Sequence, residues 1–182
     1  MVESCLNSPA INCDFVVFQQ GKTLVEINLV GAVLPIAFSV FILILYRKRL
    51  PWIRLVEFTI LGFLIITAMS STVTALHGGI FSTPGWLVVL YVILMVSLFT
   101  RLRVVRTKIF LVMGELYVIG TFSVLLDDAS RTLLGSLGIP DVGLNISPSV
   151  WGGAGPADVI FTTGIYLAII YLGVSVSGLR SV

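Results

Sequence analysis

The chain has 182 residues, of which 57% are hydrophobic and only 11% are charged. Soluble domains carry about 25% charged residues, so this composition excludes an ordinary soluble enzyme or binding domain. Its mean hydropathy of +1.09 and net charge of +2 predict a multi-pass protein of the cell membrane, in contact with the lipid bilayer and not with nucleic acid.

A short polar segment, residues 1–23, precedes the first apolar run. It contains both cysteines, Cys5 and Cys13. The charge distribution described below places this end outside the cell, where disulfides persist. The sequence therefore predicts a Cys5–Cys13 bridge, with two free thiols on a mobile tail as the alternative.

Five apolar segments follow within one predicted transmembrane domain, residues 24–177. They are residues 24–46, 53–77, 85–100, 109–126 and 158–177. A helix needs about 20 residues to cross a bilayer, so the third and fourth are at the short end. Only helices satisfy their own backbone groups in lipid, so the predicted fold class is an all-α integral membrane protein with five transmembrane helices.

Proline and glycine positions refine this prediction. Pro35 lies inside the first segment and is predicted to kink it. Gly114 and Gly120 in the fourth segment, like Gly31 and Ala32 in the first, permit close approach of helices. Packing is the favoured interpretation of these small residues.

The basic residues fix the predicted topology, because nine of the eleven Lys and Arg residues fall in three places. These are Arg47, Lys48, Arg49 and Arg54; Arg101, Arg103, Arg106 and Lys108; and Arg180. The positive-inside rule assigns all three places to the cytoplasm. The N-terminus is then outside, and the tail at 178–182 is cytoplasmic.

The longest connection, residues 127–157, is predicted to be an outer loop. It is rich in glycine and proline but too apolar for disorder, so we expect it to fold back over the membrane face. Residues 131–137 are predicted to form a short helix on the surface.

Acidic residues stand at both ends of this loop. Asp127 and Asp128 close the fourth segment, and Asp158 opens the fifth, after Gly152, Gly153 and Gly155. Two carboxylates held close share a proton, which is the chemistry of aspartic proteases, and the glycines would let a substrate backbone approach. The alternative is that these acids are ordinary water-facing charges at helix ends.

Other polar residues suggest further sites. Glu115 is an acid inside the fourth segment, which indicates either function or snorkelling towards nearby basic residues. Glu26, Asn28 and His77 are predicted to line an outer polar vestibule. A single histidine among scattered acids has no metal-ligand spacing, so neither a metal nor another cofactor is predicted.

Three stretches together resemble an uncharacterised family of archaeal and bacterial polytopic membrane proteins, the domain-of-unknown-function family of sixteen-fourteen type. They are residues 28–35, with Asn28 and Pro35; residues 117–128, ending in Asp127-Asp128; and residues 151–165, with Gly152-Gly-Ala-Gly-Pro-Ala-Asp158. Val159 stands where that family has glycine, and Asp127-Asp128 replaces its Gly-Ala-Asp. The resemblance implies the fold and the importance of Asn28, of one acid at 127–128, and of Asp158.

A second, more distant resemblance is to presenilin-like and prepilin-peptidase-like intramembrane aspartyl proteases. These place one Asp in a helix and a second after Gly-x-Gly. Here Gly153-Ala-Gly155 precedes Asp158 with two more residues between them, and the family's Pro-Ala-Leu element has no counterpart.

Three functions fit these features. The favoured prediction is a structural or accessory subunit that packs with other membrane subunits, or with copies of itself, because the chain is small and has short tails. The enzymatic alternative is a minimal intramembrane aspartyl hydrolase that uses Asp158 with Asp127 or Asp128. The third is a transporter-like protomer with a polar outer vestibule.

Overall fold

The computed structural model describes residues 14–20, 23–77, 90–96, 98, 109–136, 149–151 and 159–179. Helices dominate these residues, which confirms the predicted helical class in its broad form. A small sheet, which the sequence analysis did not predict, accompanies them.

The sheet has three strands in the order β1-β2-β3: β1 (Asp14–Gln20), β2 (Thr23–Asn28) and β3 (Ser149–Trp151). β1 and β2 form an antiparallel hairpin, and β3 pairs with β2 in parallel. β2 carries β-branched residues at alternate positions, Thr23, Val25 and Ile27, which favours an extended backbone. The first apolar segment is therefore not helical from Leu24 as predicted, because residues 24–28 belong to this strand.

Asn28 ends β2 and caps the helical run that follows. Its buried Oδ1 accepts hydrogen bonds from the backbone N–H of Val30 at 3.0 Å and of Gly31 at 2.8 Å. A π-helical turn, Leu29–Val33, then leads into α1 (Leu34–Tyr46). Pro35 stands in the first turn of α1, where the missing N–H is tolerated. The sequence predicted one continuous helix kinked at Pro35. The structure instead changes from a π-helix to an α-helix directly before Pro35.

Replacing Asn28 by alanine is expected to lower the free energy of unfolding by about 0.5–2 kcal/mol, because two backbone donors lose their acceptor. Asn28→Asp is the matched control, since it keeps an acceptor oxygen at the same place. Denaturant unfolding of the purified protein in detergent measures both variants. Equal stability of Asn28→Ala and the wild type would show that the cap contributes nothing.

The remaining helices follow the predicted segments with one large difference. They are α2 (Trp52–His77), α3 (residues 90–96), α4 (Ile109–Ser136) and α5 (Val159–Leu179). α2 and α5 agree closely with predicted segments, and α3 is the described part of the third. α4 was predicted to end at Leu126 but continues to Ser136, so the predicted outer loop begins as helix. The separate surface helix predicted at residues 131–137 is the last part of α4.

α4 is the central helix of the bundle and packs against α1, α2 and α5. Within the described residues, three helical stretches are long and apolar enough to cross a membrane: Leu29–Tyr46, Trp52–Met69 and Phe110–Ser130. The buried share is 67% for the third stretch, against 28% and 22% for the first two. α1 and α2 therefore keep wide apolar outer faces, whereas α4 forms the core.

α4 and α5 approach each other closely where two glycines meet. A methyl group at Gly120 would lie 3.0 Å from the Cα of Gly164 and 2.7 Å from a methyl carbon of Leu167. Gly120 thus permits the close helix approach predicted from the sequence. The two helices have backbone-to-backbone contact at this crossing.

Candidate functional site

Asp127 lies within α4, buried between this helix and α2. Its side chain is 6% exposed, and its Oδ1 accepts a hydrogen bond of 2.6 Å from the hydroxyl of Thr67 on α2. The hydroxyl of Ser130 donates to the main-chain oxygen of Asp127 at 2.9 Å. The Thr67 hydroxyl thus takes the place of water at this carboxyl group, which allows α4 to continue past the point where the charges begin.

The neighbouring acid is in a different environment. Asp128 is half-buried, whereas Asp127 is buried against α2. The sequence left open which of the two acids belongs to an internal site. Burial and the bond to Thr67 favour Asp127.

A second polar contact joins the same two helices one turn earlier in α4. The hydroxyl of Ser123, fully buried, donates to the main-chain oxygen of Thr59 on α2 at 3.0 Å. The Tyr91 hydroxyl of α3 also reaches this position, because both hydroxyls lie directly over Gly62. α2, α3 and α4 thus meet at one buried polar point.

The two α2–α4 contacts also give the relative direction of the helices. Thr59 pairs with Ser123, and Thr67 pairs with Asp127, so residue numbers increase together along both helices. α2 and α4 therefore run in the same direction. One face of α4 carries Ser123 and Asp127 at four-residue spacing towards α2.

Sequence reasoning missed Thr67, Ser123 and Tyr91 as members of this cluster. The sequence does indicate part of this cluster, because the polar residues Ser123 and Asp127 lie on one helix face inside an apolar segment. The partners on α2 and α3 give no comparable signal, because Thr67 is 60 residues from Asp127 along the chain.

Glu115 is the second acid of α4 and is 3% exposed. It precedes Asp127 by twelve residues, or about 18 Å at the helical rise. The two acids therefore belong to different places along α4. Burial of Glu115 favours an internal role over a side chain that reaches out to the surface.

The predicted vestibule is only partly described. Asn28 is buried and acts as a helix cap, while Glu26 pairs with Val16 in the β1–β2 hairpin and His77 ends α2. The side chains of Glu26 and His77 lie outside the described residues. The same holds for the predicted site residues Asp158, Gly152, Gly153 and Gly155, and for the predicted disulfide partners Cys5 and Cys13. Those expectations stay predictions.

A metal site would need several ligand side chains close together. Across the described ranges, no three His, Cys, Asp or Glu side chains gather closely enough to hold a metal ion. The hydroxyl of Thr67 holds the Asp127 carboxyl group within the interface between α2 and α4.

Comparison with known proteins gives no relative for this chain. No model of a known family matches it, and neither a curated protein nor a solved structure matches it. The resemblance drawn from residues 28–35, 117–128 and 151–165 therefore remains a prediction.

Proposed function

We propose that the chain is a five-span protein of the cell membrane, N-terminus outside, that acts as an intramembrane aspartyl hydrolase through Asp127 and Asp158. The observation that carries the proposal is the burial of Asp127 on the central helix, with the Thr67 hydroxyl 2.6 Å from its carboxyl oxygen. A carboxyl group in an apolar bundle is costly, and such groups usually mark functional positions.

The helix packing supports pairing of the two acids. Asp158 directly precedes Val159, where α5 begins, and α5 is the helix whose backbone meets that of α4 at Gly120 and Gly164. α4, which carries Asp127, is thus in close contact with α5, which begins at the residue after Asp158. The hydroxyl of Thr67 on α2 donates to one oxygen of the Asp127 carboxyl group and so fixes the orientation of that group.

The proposed reaction is hydrolysis of an amide bond. One carboxylate takes a proton from water while the oxygen of that water bonds to the amide carbon, and the other carboxyl gives its proton to the carbonyl oxygen. The tetrahedral diol then collapses: the C–N bond breaks as the first carboxyl gives its proton to the nitrogen, and a diol hydroxyl returns a proton to the second carboxylate. The products are a carboxylic acid and an amine, and the acid pair regains its single shared proton.

Labelling with a photoreactive hydroxyethylene peptide mimic tests this function. The probe carries a hydroxyl group in place of the tetrahedral diol, so it binds where two acids share a proton. We expect wild-type protein to be labelled, and Asp127→Asn and Asp158→Asn to lose labelling. Asp128→Asn is the matched control and is expected to retain it. Labelling of Asp127→Asn at the wild-type level would refute the proposed pair.

A separate observation favours the accessory-subunit function as a second candidate. The outer faces of α1 and α2 carry large exposed apolar side chains: Leu34, Phe38, Phe41, Ile44, Leu45, Ile53, Val56, Ile60 and Leu64. Lipid or another membrane protein would cover such faces. Chemical cross-linking in native membranes distinguishes the two, since an accessory subunit is expected to be recovered joined to a constant partner. The transporter-like alternative gains no support from the described residues.

A further inference from the structure

The turn between α1 and α2 places a dense group of basic residues directly between two apolar helices. It consists of residues 47–51, and its backbone is fixed by hydrogen bonds from Arg49 and Leu50 to the main-chain oxygen of Tyr46, at 2.8 Å and 3.1 Å. Leu50 is 6% exposed and anchors the turn in the bundle. The turn is therefore a compact element with a defined orientation.

The charged side chains of this region point away from the bundle. Arg47, Lys48 and Arg49 are exposed in the turn, and Arg54 is exposed in the first turns of α2. Glu57 is the one exposed acid close by in sequence. The local charge is thus strongly positive, which suits an anionic ligand.

Trp52 connects this charge to the apolar face. Its indole Nε1 donates a hydrogen bond of 2.9 Å to the main-chain oxygen of Arg47, while its side chain is 45% exposed. Ile53 beside it is 77% exposed, and Leu45 at the end of α1 is 59% exposed. An amphipathic indole flanked by exposed aliphatic side chains is typical of the boundary between headgroups and acyl chains.

Because the turn is short, its basic side chains stay close to the ends of the two apolar helices. The apolar stretch Leu29–Tyr46 ends where the turn begins, and Trp52–Met69 begins where it ends. If both cross a membrane, as the proposed function holds, so short a turn keeps its basic groups at the level of the lipid phosphates. Arginine binds phosphate oxygens with two parallel N–H donors, which a compact ammonium group does not do.

We propose that Arg47, Lys48, Arg49 and Arg54 form a binding site for the headgroup phosphate of anionic phospholipids, with Trp52 against the upper acyl chain. This turn, together with Arg54, is called the basic turn below. The proposal rests on the membrane location given above but not on the hydrolase chemistry.

Native mass spectrometry of the full chain, equilibrated in detergent with equal amounts of phosphatidylglycerol and phosphatidylcholine, tests the proposal. We expect wild-type protein to retain about tenfold more phosphatidylglycerol than phosphatidylcholine, or a larger excess, since each basic residue near the surface adds to the attraction. The variant Arg47→Gln, Lys48→Gln, Arg49→Gln and Arg54→Gln is expected to lose most of that preference.

A matched control removes the same charge elsewhere. The variant with Gln at Arg101, Arg103, Arg106 and Lys108 is expected to keep the preference. Loss of preference in both variants would show attraction by net charge alone, and retention in both would place the lipid elsewhere; either result overturns the proposal. The basic-turn variant is also labelled with the hydroxyethylene probe. Labelling at the wild-type level, together with lost lipid preference, would show that the lipid site and the proposed acid pair are independent.

The wild-type protein alone also provides a result that can overturn the proposal, should the basic-turn variant not fold. Because the interaction is an exposed ion contact, the lipid preference must fall steeply with added sodium chloride. A salt-independent preference would contradict the proposal. So would an absence of preference combined with binding of an oligo-glutamate peptide, which would identify the basic turn as a protein-docking surface.

Discussion

Alanine at Gly120 or at Gly164 is expected to lower the free energy of unfolding by about 1–3 kcal/mol, because the added methyl group overpacks a closed helix crossing. At Gly164 that methyl would lie 3.0 Å from the main-chain oxygen of Tyr117 and 3.0 Å from the hydroxyl of Thr121. At Gly120 it would meet the backbone of Gly164. Because each methyl group would meet backbone atoms as well as side chains, movement of side chains alone would not relieve the clash.

Gly173→Ala is the matched control on α5. Nothing lies within 4 Å of a methyl group at Gly173, so this variant is expected to gain up to about 1 kcal/mol from helix propensity. Denaturant unfolding in detergent, followed by tryptophan fluorescence, compares the three variants. If Gly164→Ala were as stable as Gly173→Ala, α4 and α5 would not be in backbone contact.

Alanine at Gly62 is expected to lower the free energy of unfolding by about 1–3 kcal/mol for a different reason. A methyl group there would collide with the hydroxyl of Ser123 and lie 2.6 Å from the hydroxyl of Tyr91. Both obstacles are side-chain atoms at the point where α2, α3 and α4 meet. The loss of unfolding free energy in Gly62→Ala should therefore depend on the hydroxyl oxygens of Ser123 and Tyr91, which can be removed by substitution.

Removal of those oxygen atoms provides the test. In a background of Ser123→Ala and Tyr91→Phe, the added cost of Gly62→Ala is expected to shrink, with a coupling energy of about 0.5–3 kcal/mol. The same set of unfolding measurements closes this thermodynamic cycle. An unchanged cost in the double-variant background would mean that these hydroxyls do not lie over Gly62.

The helical part of the fold was accessible from sequence because apolar segment length is a strong signal. α2 and α5 begin and end close to the predicted limits, and α5 begins directly after Asp158 as expected. The sheet was missed because the apolar residues of β2 run without a break into those of the first helix. Hydropathy does not separate a strand from a helix there, and β3 pairs with β2 from a distant part of the chain.

The end of α4, at the candidate site, was also predicted wrongly from the sequence. Two adjacent acids looked like a helix end, since charges normally seek water. The structure instead supplies the Thr67 hydroxyl to Asp127 and continues the helix to Ser136. Sequence reasoning could name Asp127 but could not choose it over Asp128, because the choice depends on which side of α4 faces α2.

Cysteine cross-linking tests most directly the claim that Asp127 and Asp158 face each other. In protein with Cys5→Ser and Cys13→Ser, the pair Asp127→Cys with Asp158→Cys is oxidised in the membrane. A disulfide requires Cα atoms within about 7 Å, so we expect rapid cross-linking of this pair and slower cross-linking of Asp128→Cys with Asp158→Cys. An uncrosslinked 127–158 pair, or faster reaction of the 128–158 pair, would contradict the proposed site.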